Sequence, residues 1–151
     1  MRKYKLLEVD SELGAGTRGA SLGIGAMKIA ALNANDHFFQ ELPSEQVETC
    51  NHCLHDPVDT PSAIRLEAIA EVYERVSNKV KEMIEEGEFP VLLSGDHSTA
   101  AGIIAGLRAA LGDRRLGAIW IDAHADLHSP YTSPSGNVHG MPLAIALNED
   151  N

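Results

Sequence analysis

The stretch LGAIWIDAHAD, residues 116–126, decides what kind of fold this sequence encodes. Its first half is apolar and short, so we predict a buried strand over residues 116–122. The second half places Asp122, His124 and Asp126 at and just beyond the end of that strand. Ligands of open parallel sheets bind beyond the carboxyl ends of the strands, so these polar side chains indicate a functional site.

A second apolar run ends in the same way. FPVLLSGDHS, residues 89–98, reads as a buried strand that delivers Asp96 and His97. Neither run alternates with polar residues, and helical segments separate them, which is typical of a parallel sheet covered on both faces. We therefore predict an α/β fold in which helices cover both faces of a parallel sheet.

Strands and helices alternate along the rest of the chain. Thr60 and Pro61 fit an N-cap and a first-turn proline for a long amphipathic helix. The apolar positions of that helix recur at helical spacing, at Ile69, Val72, Tyr73, Val76, Val80, Met83 and Ile84. The other predicted elements are strands at Tyr4–Val9 and His37–Phe39, a helix over residues 21–35 that stops near Asn33, a helix over residues 98–113 that ends at Gly112, and a last helix over residues 140–147.

The spacing of Asp122, His124 and Asp126 predicts a metal site. Residues two apart point the same way in an extended backbone, so all three side chains face one spot. Two carboxylates and an imidazole aimed together repel unless a cation lies between them. A site rich in carboxylates suits a hard or borderline divalent ion such as manganese. The alternative, that these residues only cap helices, does not explain their alternation.

Composition restricts the partners. The 151 residues carry a formal net charge of −10, which argues against nucleic acid and anionic membranes as partners. No apolar run approaches the length of a membrane span, and the N-terminus turns acidic too soon for a signal peptide. Two cysteines do not suggest a disulfide scaffold. The sequence therefore predicts a single-domain cytoplasmic protein, and its negative charge does not argue against a cationic small substrate.

Three linked motifs resemble the arginase, or ureohydrolase, family. SGDHS (residues 94–98) matches the family's G-G-D-H-S strand end with Ser94 in place of the first glycine, and DAHAD (residues 122–126) matches D-A-H-x-D. SPSGNVHGMP, residues 133–142, is similar to the arginase branch in particular. The resemblance runs from the first predicted strand to the last residue, and it implies a three-layer α/β/α fold.

The resemblance also implies the roles of individual residues. Two manganese ions would be held by His97 and Asp126 on one side and His124 on the other, with Asp122 bridging them. Such a pair lowers the pKa of a bridging water, which then attacks the guanidinium carbon of L-arginine to give L-ornithine and urea. His139 would be the acid–base or proton-shuttling histidine.

For the substrate, the resemblance implies that Ser135 and Asn137 bind the α-carboxylate of a guanidino amino acid. The better-known arginases have an asparagine where this chain has His128, which leaves formiminoglutamase, agmatinase and guanidinobutyrase activities as alternatives. A non-catalytic relative that keeps the fold is a third possibility. Taken alone, the SGN segment also fits a simple turn.

The family's remaining metal ligands lie on a downstream Asp-x-Asp motif that these 151 residues lack. We therefore expect residues 1–151 to be one arginase-like domain truncated on its C-terminal side, inactive by itself and homo-oligomeric when full length. The family fold also implies that strands from the other half insert between the two strand ends. We accordingly predict no direct ladder between residues 90–94 and 118–122.

Two further motifs need separate interpretation. GAGTRG, residues 14–19, satisfies G-x-G-x-x-G after a predicted strand, so a dinucleotide-binding domain is a rival hypothesis. However, Asp36 precedes the expected second strand, whereas such a domain has its acid after that strand. CNHCLH, residues 50–55, contains a C-x-x-C without the second ligand pair that a structural zinc site requires. We interpret it as an exposed loop with reduced thiols.

Overall fold

Three parallel strands form the sheet of this computed structural model, which describes residues 2–58 and 60–149. The strands are β1 (Lys3–Val9), β2 (Ser44–Gln46) and β3 (Glu88–Ser94), in the spatial order β2-β1-β3. β1 pairs with β3 along its whole length, from Lys3 opposite Glu88 to Val9 opposite Ser94. The predicted parallel α/β architecture is confirmed.

Five α-helices accompany the strands in the described part of the chain. They are α1 (Leu22–Asn33), α2 (Phe38–Glu41), α3 (Leu66–Glu85), α4 (Ala100–Leu111) and α5 (Pro142–Leu147). Three short 3-10 turns occur at Asn51–His55, His97–Thr99 and Val138–Gly140. None of these helices is long and apolar enough to cross a membrane.

The main core lies between one face of the sheet and the pair α3 and α4. α3 presents a buried stripe at helical spacing, made of Ile69, Val72, Val76, Val80 and Met83. On the sheet side this stripe belongs to the same buried cluster as Leu7 and Val9. Fully buried side chains of this kind are each worth about 1.5–3 kcal/mol, so this cluster holds the domain together.

Two glycines let α4 approach α3 closely. A Cβ on Gly102 would lie 3.1 Å from the Tyr73 Cα, and one on Gly106 would lie 2.5 Å from the Ser77 carbonyl oxygen. Larger residues at these positions would push the helices apart. The other face of the sheet carries Leu6, which is fully buried, and Glu8, which pairs with Lys28 of α1 at 2.6 Å. Helices therefore cover both faces, as predicted.

Two local predictions are wrong. Phe38 and Phe39 begin the short helix α2, and the second strand lies further on, at β2. α3 begins at Leu66, so Thr60 and Pro61 do not cap it; Arg65 occupies the N-cap position. By contrast, α1 ends at Asn33 and α4 is terminated by Gly112, whose φ of 59° no other residue type adopts as easily.

The largest difference concerns residues 116–122, which are not a strand. The chain there is irregular, and the side chains of Ile119 and Ile121 are 91% and 94% exposed. A strand requires a neighbour for its backbone hydrogen bonds, and within residues 2–58 and 60–149 no strand lies beside this segment. No ladder joins this segment to β3, as predicted. The reason differs from the predicted one, because residues 116–122 do not form a strand at all.

Candidate functional site

The turn after β3 brings His97 to the sheet edge. The Gly95 backbone N–H donates to the Val9 carbonyl at 2.9 Å, and a Cβ on Gly95 would lie 2.4 Å from the Ser11 carbonyl oxygen. The next residue, Asp96, is buried and caps the following 3-10 turn by accepting the Ser98 N–H at 2.8 Å. His97 begins that turn with a partly exposed imidazole.

Asp122 and Asp126 converge on His97. The His97 Nδ1 lies 3.0 Å from Asp122 Oδ2 and 3.4 Å from Asp126 Oδ2. One ligand atom from each of the three residues lies within 4.8 Å of the other two, and this is the only such trio found in the described residues. The two strand-end motifs therefore meet, as their sequence positions predicted.

The expectation that Asp122, His124 and Asp126 share one direction of an extended backbone is wrong. Residues 122–124 form a bend in which Asp122 Oδ1 accepts the His124 backbone N–H at 2.8 Å, and Asp126 has a left-handed φ of 52°. With no ladder to keep this chain extended, the aspartate side chain bonds to the local backbone instead. His124 is 82% exposed and outside the trio, although its Nδ1 lies 3.2 Å from Asp122 Oδ1.

Trp120 contributes to the cluster, and the sequence analysis assigned it no role. Its indole stacks on the His97 ring with centroids 5.1 Å apart and planes 12° apart. The indole Nε1–H also donates to Asp126 Oδ2 at 3.2 Å. The predicted strand over residues 116–122 did not place the Trp120 side chain near His97, so this contact could not be predicted from the sequence.

The electrostatics of the trio fit a divalent cation. The pKa of Asp122 lies below its ordinary value, chiefly because the carboxylate accepts the His124 backbone N–H and also because His97 is close. Asp126 is buried beside it. Two carboxylates and an imidazole at this separation form a donor set that a hard or borderline ion satisfies, because its charge offsets the repulsion between the carboxylates. The residues present therefore fit a metal.

A cavity of about 490 Å³ adjoins this cluster. The cavity is lined by all the residues predicted to bind substrate or transfer a proton, which are His128, Ser135, Asn137 and His139. Two of the predicted metal ligands, His124 and Asp126, line it as well. Ser135 Oγ accepts the Asn137 backbone N–H at 3.2 Å, and Asn137 Nδ2 donates to the Ala15 carbonyl at 3.1 Å. The SGN segment is a turn, and it faces the cavity.

His139 is oriented by the residue at the start of the glycine loop. Its Nδ1 lies 3.1 Å from the Gly14 carbonyl oxygen, which also accepts the His139 backbone N–H. Because a carbonyl oxygen only accepts, Nδ1 carries the hydrogen in this contact and Nε2 is the acceptor nitrogen of the neutral ring. Gly14 in turn donates its N–H to Asp96 Oδ2 at 3.1 Å, so the site histidine and the β3 turn are joined through one glycine.

The structure argues against nucleotide phosphate binding by the GAGTRG loop. Its backbone amides and the start of α1 already have an anionic acceptor, because Glu12 Oε1 binds the Gly19 N–H at 2.7 Å and the Ser21 N–H at 2.9 Å. The Ser21 hydroxyl donates to the same oxygen at 2.6 Å. These contacts hold the pKa of Glu12 below its ordinary value, the Ser21 hydroxyl being the largest cause. A phosphate would have to displace this carboxylate.

The interpretation of CNHCLH as an exposed loop is partly wrong. The segment forms a 3-10 turn, Asn51–His55, and Cys50 is buried in the main core beside α3. Burial raises the pKa of both Cys50 and Cys53 and makes them poor thiolates. Both thiols are free. Within the described residues, neither cysteine belongs to a group with metal-ligating geometry.

Comparisons with known proteins identify relatives of this chain. The arginase of Bacillus caldovelox is 38% identical over 155 aligned residues, which cover 97% of this chain and 49% of that protein. The crystal structure of Entamoeba histolytica arginase in complex with L-ornithine matches with a TM-score of 0.83 and 25% identity, over 100% of this chain and 52% of that chain. The formimidoylglutamase of Bacillus subtilis matches with a TM-score of 0.66 and 18% identity, over 98% of this chain and 44% of that chain, and so shares the fold.

The chain thus spans about half the length of the curated relatives it matches. The match is not limited to the strand-end motifs, because residues 3–151, from β1 through the cavity-lining loops to the last helix, fit one family description. On that evidence the chain belongs to the arginase family.

Proposed function

We propose that the complete protein is a binuclear manganese hydrolase that converts L-arginine and water into L-ornithine and urea. The observation that carries this proposal is the convergence of His97, Asp122 and Asp126 beside a cavity that His139 also lines. Members of the family are binuclear metal enzymes. The proposal includes manganese as the metal, L-arginine as the substrate, a cytoplasmic location and homo-oligomeric assembly.

The position of Asp122 supports a bridging role. One of its oxygens lies 3.0 Å from His97 Nδ1 and the other lies 3.2 Å from His124 Nδ1. A carboxylate between two imidazoles could serve two ions, and Asp126 would be a further ligand on the His97 side. When bound, the two ions would supply Lewis-acid activation of water for attack on the guanidinium carbon.

His139 is proposed to handle the proton that the reaction needs. Cleavage releases the δ-nitrogen of ornithine as an amine, which must gain a proton as the carbon–nitrogen bond breaks. The contact of Nδ1 with the Gly14 carbonyl leaves Nε2 as the nitrogen that takes up and delivers this proton. An imidazole suits the task because its ordinary pKa lies near neutrality.

The far end of the cavity is proposed to bind the amino-acid part of the substrate. The Ser135 hydroxyl and an N–H of the Asn137 amide can donate to an α-carboxylate. His128 lines the same cavity with its Nδ1 3.3 Å from the Thr132 hydroxyl. An imidazole here can donate to a carboxylate but is equally compatible with a second candidate, hydrolysis of a formimino amino acid, the fold being shared with formimidoylglutamase.

A substrate panel tests the proposal. The complete protein, loaded with manganese, should release urea from L-arginine faster than from agmatine or guanidinobutyrate, and faster than it releases formamide from formiminoglutamate. Faster turnover of any other compound would replace arginine as the substrate. No turnover of any of the four would favour the non-catalytic relative.

Replacing Asp122 should impair activity and metal binding more than replacing Asp126. We predict that Asp122→Ala lowers kcat/KM by more than about a hundredfold, which is more than the loss typical of mutating a residue that only supports a metal ligand. Asp122→Ala should also bind less manganese than Asp126→Ala. A ligand shared by two ions serves both, whereas Asp126 serves one. Metal analysis and urea assays measure both effects, with the exposed Asp113→Ala as the matched control. Equal manganese content and activity in the two site variants would contradict the roles.

A further inference from the structure

Asp96 is an acidic residue of the SGDHS motif that lies outside the trio of His97, Asp122 and Asp126. The residue is only 7% exposed, whereas its neighbour His97 keeps a partly exposed imidazole. Burying a carboxylate costs free energy unless hydrogen-bond donors replace the water that it loses. The partners of the Asp96 carboxylate therefore indicate its role.

The Asp96 carboxylate does more than cap the 3-10 turn that follows it. Its Oδ1 accepts the Ser98 N–H at 2.8 Å, which is the capping contact. Serine, threonine or asparagine could make that contact as well. Its Oδ2 accepts the Gly14 N–H at 3.1 Å, from a loop 82 residues away in the sequence. Among the common capping residues only aspartate has two side-chain oxygens that accept at once, so the Gly14 contact explains why aspartate is present.

Gly14 packs directly against that carboxylate. A Cβ on Gly14 would lie 2.4 Å from Asp96 Oδ1 and 2.3 Å from Ser98 Oγ. Leu13, the residue before it, is fully buried in the main core. The position of Gly14 is therefore set by the core and by the turn after β3, which gives the first glycine of GAGTRG a structural reason other than phosphate binding.

The Gly14 carbonyl holds both the backbone and the ring of His139. It accepts the His139 backbone N–H at 3.1 Å, and the ring Nδ1 lies 3.1 Å from the same oxygen. A contact of this kind decides which nitrogen of a neutral imidazole carries the hydrogen. Two hydrogen bonds of 3.1 Å thus connect Asp96 through Gly14 to the ring of a histidine that lines the cavity.

We propose that Asp96 is a positioning residue for His139: by holding Gly14, it fixes the direction of the imidazole and keeps the ring hydrogen on Nδ1. The kinetic consequence rests on the proposed function, because His139 is the residue proposed to handle the proton. Asp96 is assigned no contact with substrate or with the reacting atoms. Without its carboxylate, the Gly14 carbonyl loses its fixed position and the His139 ring divides between two tautomers.

The tautomer of His139 tests this role directly in the complete protein. Asp96→Asn replaces one acceptor oxygen with an NH₂ group, so the side chain can accept from Ser98 or from Gly14 but not from both. If the shorter contact to Ser98 is kept, the NH₂ group opposes the Gly14 N–H. Nitrogen NMR of the neutral ring, recorded without manganese because that ion broadens such signals, should show the hydrogen on Nδ1 in the wild type and a mixture of tautomers in the variant.

Kinetics of the manganese-loaded complete protein test the consequence for catalysis. For L-arginine, kcat of Asp96→Asn should fall about tenfold, which is part of the roughly hundredfold or more that a positioned acid or base contributes. KM and the bound manganese should stay close to their wild-type values, because the variant changes neither the metal ligands nor the residues at the substrate end of the cavity.

Two further variants separate the Gly14 contact from the turn itself. Asp96→Ser keeps one oxygen to cap the Ser98 N–H but has no second oxygen for Gly14, so it should resemble Asp96→Asn in tautomer and in kcat. Ser94→Ala is the matched control. It removes a hydroxyl that donates to the Asp96 backbone carbonyl at 2.6 Å in the same turn, and it should change neither property.

Three results would overturn the inference. They are an unchanged tautomer in both Asp96 variants, a loss of kcat that the loss of manganese fully explains, and an equal effect of Ser94→Ala. The proposed function fails separately: if the wild-type protein releases no urea from L-arginine while the tautomer still changes in the Asp96 variants, the arginine assignment is refuted and the positioning of His139 by Asp96 is supported.

Discussion

β3 and residues 116–122 are two apolar runs of similar length and composition that end in similar motifs, yet only one is a strand. β3 pairs along its length with β1 and lies over the cluster that α3 and α4 complete. Residues 116–122 have no neighbouring strand among the described residues, and Ile119 and Ile121 face solvent. The comparison teaches that an apolar run predicts a strand only if the fold supplies a hydrogen-bonding neighbour.

Hydrogen exchange of residues 1–151 should show the largest difference between the two runs. The backbone amides of β3 that bond to β1 lie in a paired, half-buried strand, whereas residues 116–122 are irregular and mostly exposed. We expect protection in β3 to exceed that at Ile119 and Ile121 by at least about a thousandfold. Amide exchange followed by NMR or mass spectrometry measures this. Comparable protection would show that residues 116–122 acquire a partner, for example in an oligomer, and would remove the contrast.

The same substitution in the core beneath β3 and in residues 116–122 should have very different effects on stability. Ile69→Ala in the buried stripe of α3 should cost about 2–5 kcal/mol of unfolding free energy, because it leaves a cavity in the core. Ile121→Ala removes a side chain that is 94% exposed and should change stability by less than about 0.5 kcal/mol. Denaturant unfolding of both variants gives the values. A cost of more than 1 kcal/mol at position 121, on the order of a core change, would mean that Ile121 is buried in solution.

The smallest expected effect concerns Trp120, a side chain of the irregular segment that contacts both His97 and Asp126. Trp120→Phe keeps a ring to stack on His97 but deletes the Nε1–H that donates to Asp126. In the complete protein we expect manganese affinity to fall about tenfold, as for other partners of ligating carboxylates. Tyr131→Phe, at an exposed aromatic, is the control for metal titration by calorimetry. Unchanged affinity in Trp120→Phe would show that the indole has no part in holding Asp126.

The sequence predicted the features that depend on local pattern. The buried stripe of α3, the strands β1 and β3 and the stop of α4 at Gly112 all follow from periodicity, apolar runs or backbone preference. The meeting of His97 with Asp122 and Asp126 was also predicted, from two strand ends at one sheet edge, and it occurs although residues 116–122 form no strand.

What the sequence did not predict depends on distant neighbours. The exposure of Ile121 follows from the absence of an adjacent strand, and the burial of Cys50 follows from the position of α3. The N-cap at Arg65 contradicts the usual preferences, so no reading of local composition would select it over Thr60. The stacking of Trp120 on His97 joins residues that are distant in sequence, and no pattern within either motif specifies it.

The side chain and the backbone of Asp126 make separate contacts. Its carboxylate faces His97, whereas its backbone carbonyl accepts the N–H groups of Leu143 and Ala144 in the first turn of α5, both at 3.2 Å. Its φ of 52° is a conformation that glycine adopts with less strain. Asp126→Gly would therefore delete the carboxylate, with its contacts to His97 and Trp120, while keeping the backbone carbonyl that anchors α5. If the proposed function holds, this variant of the complete protein would keep the fold but bind less metal, so substrate could be held in the site without being consumed.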